Sequence, residues 1–140
     1  MAYNVLIVDD SGSMRKVLLK TLRLSGFELG KCLEASNGRE ALDVMEGEWI
    51  DLIISDVHMP EMDGVEFLKS LRKMEIFSNT PVVFVTTEAN EDRLRRLIDL
   101  GASGYIRKPF RPEEIGTLLS RIMGEPNGFV AGRSSEGCDF

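Results

Sequence analysis

Val5-Leu6-Ile7-Val8-Asp9-Asp10 passes from four apolar residues straight into two acids, and the chain repeats the device. Leu52-Ile53-Ile54-Ser55-Asp56 does the same, Pro81-Val82-Val83-Phe84-Val85 stops at Thr86, and Ile106-Arg107-Lys108-Pro109 ends on a cation. Short unbroken apolar runs mark buried parallel strands, and ligands in open α/β sheets bind beyond the strands' carboxyl ends. Asp9, Asp10, Asp56, Thr86 and Lys108 are therefore expected along one edge of a single sheet.

Working outward, strands are predicted at 4–8, 31–34, 52–55, 81–85 and 104–106. Segments of helical period lie between them. The clearest is the last, where Ile115, Leu118, Leu119 and Ile122 fall at i, i+3, i+4 and i+7 behind Pro112 at a first helical position. Core faces of the earlier helices are expected at Val17, Leu18 and Leu22; at Ala41, Leu42 and Met45; at Phe67, Leu68 and Leu71; and at Leu94, Leu97 and Ile98. Ser11 and Ser13 are expected to cap the first helix, and Gly26, Gly47 and Gly101 to follow helix ends. Five βα units joined by right-handed crossovers give an α/β, doubly wound parallel sheet.

A chain of 140 residues, 43% of them hydrophobic, suits one domain with one good core. The domain is expected over 1–124. From Glu125 to Phe140 the composition turns to Gly, Ser and Pro without apolar period, which reads as a flexible tail or linker. A net charge of -6 and a pI near 4.9 argue against nucleic-acid binding, which needs a basic footprint. The run Arg93, Arg95, Arg96 reads as a solvated helix face or a partner surface. Cys32 and Cys138 have neither metal-ligand spacing nor a disulfide framework, so a reducing cytoplasm is expected. No signal peptide is recognisable, and no apolar run approaches the ~18 residues of a membrane span. Trp49 and the methionines are read as packing.

Two carboxylates about 4 Å apart repel by about 1 kcal/mol in water and about 4 kcal/mol at the effective dielectric of a protein surface. A cluster of Asp9, Asp10 and Asp56 thus asks for a cation. Magnesium suits it, since it takes hard oxygen ligands and is commonly held by one or two carboxylates together with a phosphate. A carboxylate beside such a cation can attack a phosphoryl group, and Asp56, alone at the end of the most central run, is the expected nucleophile. Lys108 offers positive charge and Thr86 a hydroxyl to the phosphoryl oxygens. Each residue alone has a plainer explanation: a lone Asp after a strand is usually a turn former or cap, and Lys108-Pro109 simply favours an extended residue. It is acid, acid, hydroxyl and lysine at four strand ends, in strand order, that point to one reaction. His58, the only histidine, sits in a short loop with no second histidine, so ligation by its ring is not expected.

The whole pattern resembles the receiver domain of two-component response regulators, above all the stand-alone chemotaxis type (CheY-like). The resemblance rests on Val8-Asp9-Asp10-Ser11 with Met14-Arg15, on Glu34-Ala35-Ser36-Asn37-Gly38, and on Asp56-Val57-His58-Met59-Pro60 with Met62-Asp63-Gly64. It continues through Val85-Thr86-Thr87-Glu88-Ala89 and Gly101-Ala102-Ser103-Gly104-Tyr105 to Lys108-Pro109-Phe110, covering residues 3 to about 123. It implies a flavodoxin-like three-layer (βα)5 sandwich with strand order 2-1-3-4-5. Asp56 would take a phosphoryl group from a sensor histidine kinase, with magnesium held by Asp9, Asp10, Asp56 and the backbone carbonyl of His58. Lys108 would pair with the phosphoryl oxygens, the Thr86 hydroxyl would move toward them, and Tyr105 would turn inward, changing the face of helix four, strand five and helix five. The Lys108-Pro109 peptide is typically cis in that family. His58, where the chemotaxis regulator has Asn, and Glu88 would tune the phosphate's lifetime. The output expected is binding of a protein target, such as a flagellar motor switch protein, by a monomer with no external substrate. Residues 125–140 are an addition to the compact chemotaxis pattern, open to reading as a linker within a longer regulator.

Other classes fit less well. A haloacid dehalogenase-type phosphatase carries its nucleophile in Asp-x-Asp at the first strand, whereas Asp9 and Asp10 are adjacent. Neither G-x-x-x-x-G-K-[ST] nor G-x-G-x-x-G occurs. The remaining rival is an interaction module that keeps the fold without the phosphate switch.

Overall fold

A computed structural model of the chain describes residues 2–124, so the tail expected over 125–140, with Cys138, lies outside the described residues. In chain order the elements are β1 (Tyr3–Val8), α1 (Gly12–Leu24), β2 (Leu29–Ala35), α2 (Gly38–Gly47), β3 (Leu52–Ser55), α3 (Gly64–Lys73), β4 (Val82–Thr86), α4 (Glu91–Asp99), β5 (Gly104–Arg107) and α5 (Pro112–Met123). A 3-10 turn at Glu75–Phe77, not foreseen from the sequence, joins α3 to β4. All strand pairs are parallel, in the order β2-β1-β3-β4-β5. The doubly wound, flavodoxin-like sandwich is thus the observed fold.

Strand alternation sends neighbouring residues to opposite faces of the sheet, and each face has its own core. Leu6, Val8, Ile53, Val82 and Phe84 pack with α2, α3 and α4 through Met45, Phe67, Leu68, Leu71 and Leu94. Val5, Ile7, Leu52, Ile54, Val83 and Val85 pack with α1 and α5 through Leu18, Leu22, Ile115 and Leu119. The three inner strands are covered on both sides, which is why they read as unbroken apolar runs. Edge strand β2 is half exposed, and it begins two residues before its predicted start because no apolar run announces Leu29 and Gly30. A bulge between Tyr3 and Val5 sets its register, with the Lys31 amide donating to Asn4 Oδ1 at 2.9 Å.

Several readings of single residues are corrected. Val17 is 51% exposed, because α1 already meets the sheet through Leu18 and Leu22 and the adjacent position is turned about 100° away. Ile98 is 41% exposed for the same reason beside Leu94 and Leu97. Trp49 is not core packing: it is 67% exposed, its indole N–H donating to Asp51 Oδ1 at 2.8 Å just ahead of β3. Ser11 caps α1 by accepting the Met14 N–H, whereas Ser13 lies inside the helix. Gly26 and Gly101 take the positive φ expected past a helix end, but Gly47 is the last residue of α2 and does not.

One glycine is indispensable to the carboxyl edge. A Cβ on Gly64 would stand 2.5 Å from the Asp56 carbonyl oxygen, 2.7 Å from Phe84 Cε1 and 3.0 Å from Val57 Cα. Helix α3 therefore starts against the backbone of the Asp56 loop, and the Gly64 N–H donates to Val57 O at 2.8 Å. Gly64→Ala is expected to cost about 3 kcal/mol through this overlap, read from urea unfolding. Gly47→Ala, where nothing lies within 4 Å, should instead stabilise by about 0.5–1 kcal/mol. Equal effects of the two would contradict the packing described.

Candidate functional site

The backbone ladders run one hydrogen bond beyond the strands, and those extra bonds deliver the site. Asp9 N–H donates to Ala35 O at 3.0 Å, Asp56 N–H to Val8 O at 2.8 Å, and Lys108 N–H to Thr86 O at 2.8 Å. All the residues expected along the edge are thereby brought to one end of the sheet. The carboxylates of Asp9, Asp10 and Asp56 each place an oxygen within 4.8 Å of the others. Asp9 is buried, Asp56 half-buried and Asp10 exposed, so the cluster faces outward from a buried base.

Asp9 is held through one carboxylate oxygen and its backbone carbonyl. Its Oδ1 accepts the Ser11 N–H at 2.9 Å, and its carbonyl oxygen accepts Nη1 of Arg15 at 2.6 Å. The same guanidinium binds Glu34 Oε1 at 2.7 Å, tying the β1 loop to the end of β2. Arg15 stood in the sequence only as part of a motif; a lone arginine on an amphipathic helix carries no signal of such a role. Oδ2 of Asp9 is buried without a hydrogen-bond donor, the Lys108 ammonium being 3.9 Å away. Burial is the main cause that pushes the Asp9 carboxyl above its ordinary range; the Ser11 N–H opposes this, Asp56 adds to it, Lys108 opposes it and Asp10 adds to it.

Asp56 presents its side chain differently. Oδ1 accepts the Val57 N–H at 2.8 Å, and the Ser55 hydroxyl donates to the Asp56 carbonyl at 2.8 Å. No protein donor reaches Oδ2 among the described residues, which leaves that oxygen for an incoming group. Thr86 is the last residue of β4 rather than the residue after it, and is buried. Its Oγ1 accepts the Glu88 N–H at 3.0 Å, so its own hydroxyl proton stays available. The Lys108-Pro109 peptide is cis. Tyr105, half-buried, packs with the core on the α4 side of the sheet.

His58 is exposed in the loop after Asp56, and with Glu88 it lines a cleft between α3 and α4. The Glu88 carboxylate accepts the Asn90 N–H at 2.9 Å and Arg93 Nη1 at 3.2 Å. These bonds, the Asn90 amide first, hold its carboxyl below the usual range. The acid cluster fits a small hard divalent cation: three carboxylates converge, and one buried oxygen lacks any donor.

Residues 5–120 match the family model described as the response regulator receiver domain. The chain is 34% identical over 125 residues to the chemotaxis protein CheY homolog of Campylobacter jejuni, covering 89% of this chain and 95% of that protein. It is 33% identical over 124 residues to chemotaxis protein CheY of Pseudomonas aeruginosa, covering 89% and 98%. Among solved structures, chemotaxis response regulator CheY4 of Vibrio cholerae superposes with a TM-score of 0.76 at 38% identity, covering 87% of this chain and 99% of that one. A response regulator from Chloroflexus aurantiacus reaches 0.79 at 28% identity, covering 88% and 98%.

The Asp9 carboxyl has a raised pKa in the folded chain, so its contribution to stability is present at low pH and is lost as pH rises through that value. In EDTA, Asp9→Asn should therefore raise stability at pH 7 by on the order of 1 kcal/mol, since a buried charge without a donor is replaced by a neutral isostere. Thermal unfolding from pH 4 to 8 checks this. The gain should shrink toward acid, and a gain independent of pH would refute the electrostatic cause.

Proposed function

The chain belongs to the response regulator receiver family and is a CheY-like domain of two-component signal transduction, and from that premise we propose that it is a magnesium-dependent phosphoryl switch centred on Asp56. The observation that carries the proposal is the meeting, at one edge, of the Asp56 carboxylate, whose Oδ1 alone is engaged, by the Val57 N–H, with the Asp9 carboxylate, whose buried Oδ2 has no donor and lies 3.9 Å from the Lys108 ammonium. Oδ2 of Asp56 attacks the phosphorus of a phosphohistidine presented by a sensor histidine kinase. The P–O bond forms as the P–N bond breaks, and the imidazole departs. Asp9, Asp10 and Asp56, with the His58 carbonyl, hold magnesium, which supplies charge neutralisation for the phosphoryl oxygens when bound. Lys108 adds a second positive charge, and buried Asp9 fixes the depth at which the group is received.

Thr86 and Tyr105 carry the state outward. The Thr86 hydroxyl turns its proton to a phosphoryl oxygen, and Tyr105, on the same side of the sheet, moves inward. The face of α4, β5 and α5 then binds a protein target of the flagellar motor switch type. His58 and Glu88 set the lifetime of the phosphate. The receiver occupies 1–124 and acts as a cytoplasmic monomer, transforming no external substrate, with 125–140 as tail or linker. Among the described residues no helix is long and apolar enough to cross a membrane.

Intact-protein mass after incubation with acetyl phosphate tests the reading. The protein should gain one phosphoryl group with magnesium and none without it, and Asp56→Asn should gain none while keeping its fold. Lys108→Ala should still accept phosphate yet lose phosphate-dependent target binding. Acceptance by Asp56→Asn at the wild-type rate would remove Asp56 from its role. No gain in the wild type, even with rapid quenching and His58→Asn made to test for a short lifetime, would favour a phosphate-independent interaction module.

A further inference from the structure

The basic run Arg93, Arg95, Arg96 takes no part in the chemistry at Asp56, and its members part company in the fold. Arg93 and Arg96 line the cleft between α3 and α4; Arg95 does not. The apolar floor is Val57, Val65, Leu97 and Leu100, and the cavity measures about 290 Å³. That is at the lower end of the roughly 300–1,000 Å³ of small-ligand sites and is room enough for one large apolar side chain.

The rim sets two arginines, Arg93 and Arg96, against one carboxylate, Glu88, a net positive balance on a chain whose net charge is -6. Arg93 is exposed and pairs with Glu88 at 3.2 Å, the kind of surface pair that exchanges partners at little cost. The Asn90 N–H keeps Glu88 in place when Arg93 leaves it. Arg96 makes no ion pair among the described residues. Two guanidinium groups thus stand available over an apolar floor, a pairing of charged fork and hydrophobic socket that matches carboxylates flanking a large apolar side chain.

We propose that the cleft between α3 and α4 docks an acidic segment of a partner protein. One large apolar side chain sits on Val57, Val65, Leu97 and Leu100, and neighbouring carboxylates pair with Arg96 and Arg93. This surface lies on the opposite flank of α4 from the face of α4, β5 and α5. The Glu88 N–H donates to Thr86 Oγ1, so a segment seated here also touches the loop that holds the switch hydroxyl.

The test is a titration of the unphosphorylated, ¹⁵N-labelled full chain with the acetylated, amidated peptide Glu-Asp-Phe-Leu-Glu-Asp, followed by amide shifts. Using the unphosphorylated chain makes the outcome independent of whether Asp56 accepts a phosphoryl group. Saturable shifts are expected at Val57, Val65, Leu97 and Leu100. Arg96→Glu should weaken binding at least about tenfold, and the neutral peptide Gln-Asn-Phe-Leu-Gln-Asn should bind weaker by a similar factor. Arg95→Glu, which changes net charge equally one residue away, should leave binding within about twofold. The proposal fails if the cleft residues do not shift up to about 1 mM peptide, if the shifts gather at Tyr105 and Ile106, or if the two charge reversals weaken binding alike. It also fails if the cleft amides shift with protein concentration alone, which would assign the cleft to a second copy of the chain.

Discussion

The alignment of β1 between β2 and β3 is the constraint on which the rest of this structure depends. Val8 lies opposite Ala35 on one side and Ser55 on the other, so three strands end level. Each ladder then continues by one bond, through the Asp9 and Asp56 amides. A slip of one residue would turn every inward side chain of β1 to the other face and would part the Asp9 and Asp56 carboxylates. Burial on both faces forbids that slip, since Leu6 and Val8 belong to one core and Val5 and Ile7 to the other.

Given that alignment, the carboxyl edge is electrostatically uncomfortable by construction. Packing brings Asp9 into a buried position beside two other acids, and only Ser11 and the distant Lys108 ammonium ease it. The core that stabilises the sheet is thus the same structure that crowds three carboxylates together at its edge, an arrangement that could hold a metal ion. Gly64 shows the same economy of space: α3 begins so close to the Asp56 loop that no side chain fits between them. Positions of this sort offset local cost by the cooperativity of the surrounding core.

Much of the candidate site was legible because each of its residues stands at or just past the end of a strand-length run. Asp9, Asp10, Asp56 and Lys108 were readable in that way, and Thr86 differed only by closing β4 rather than following it. Legibility failed where no pattern marks the residue. Arg15 braces the Asp9 carbonyl and Glu34 across three elements, yet its position on α1 looks like any solvated helix residue. Trp49 was misread because large aromatics are usually covered, and nothing local reveals that the chain turns outward ahead of β3. Val17 and Ile98 were assigned to core faces because a helix stripe has no sharp edge in sequence; the width of the buried stripe is set by what packs on it.

The sequence by itself determined the class of fold and the kinds of groups at the carboxyl edge. Apolar runs of strand length alternating with helical periods admit few other arrangements once right-handed crossovers are required, and charges at run ends have to lie where the strands end. Tertiary structure alone decided which carboxylate oxygen is left without a donor, and which of Arg93, Arg95 and Arg96 face a cleft. It also decided how closely α3 approaches the Asp56 loop. These depend on distances between segments tens of residues apart, fixed by packing two cores against one sheet, and no local pattern encodes them.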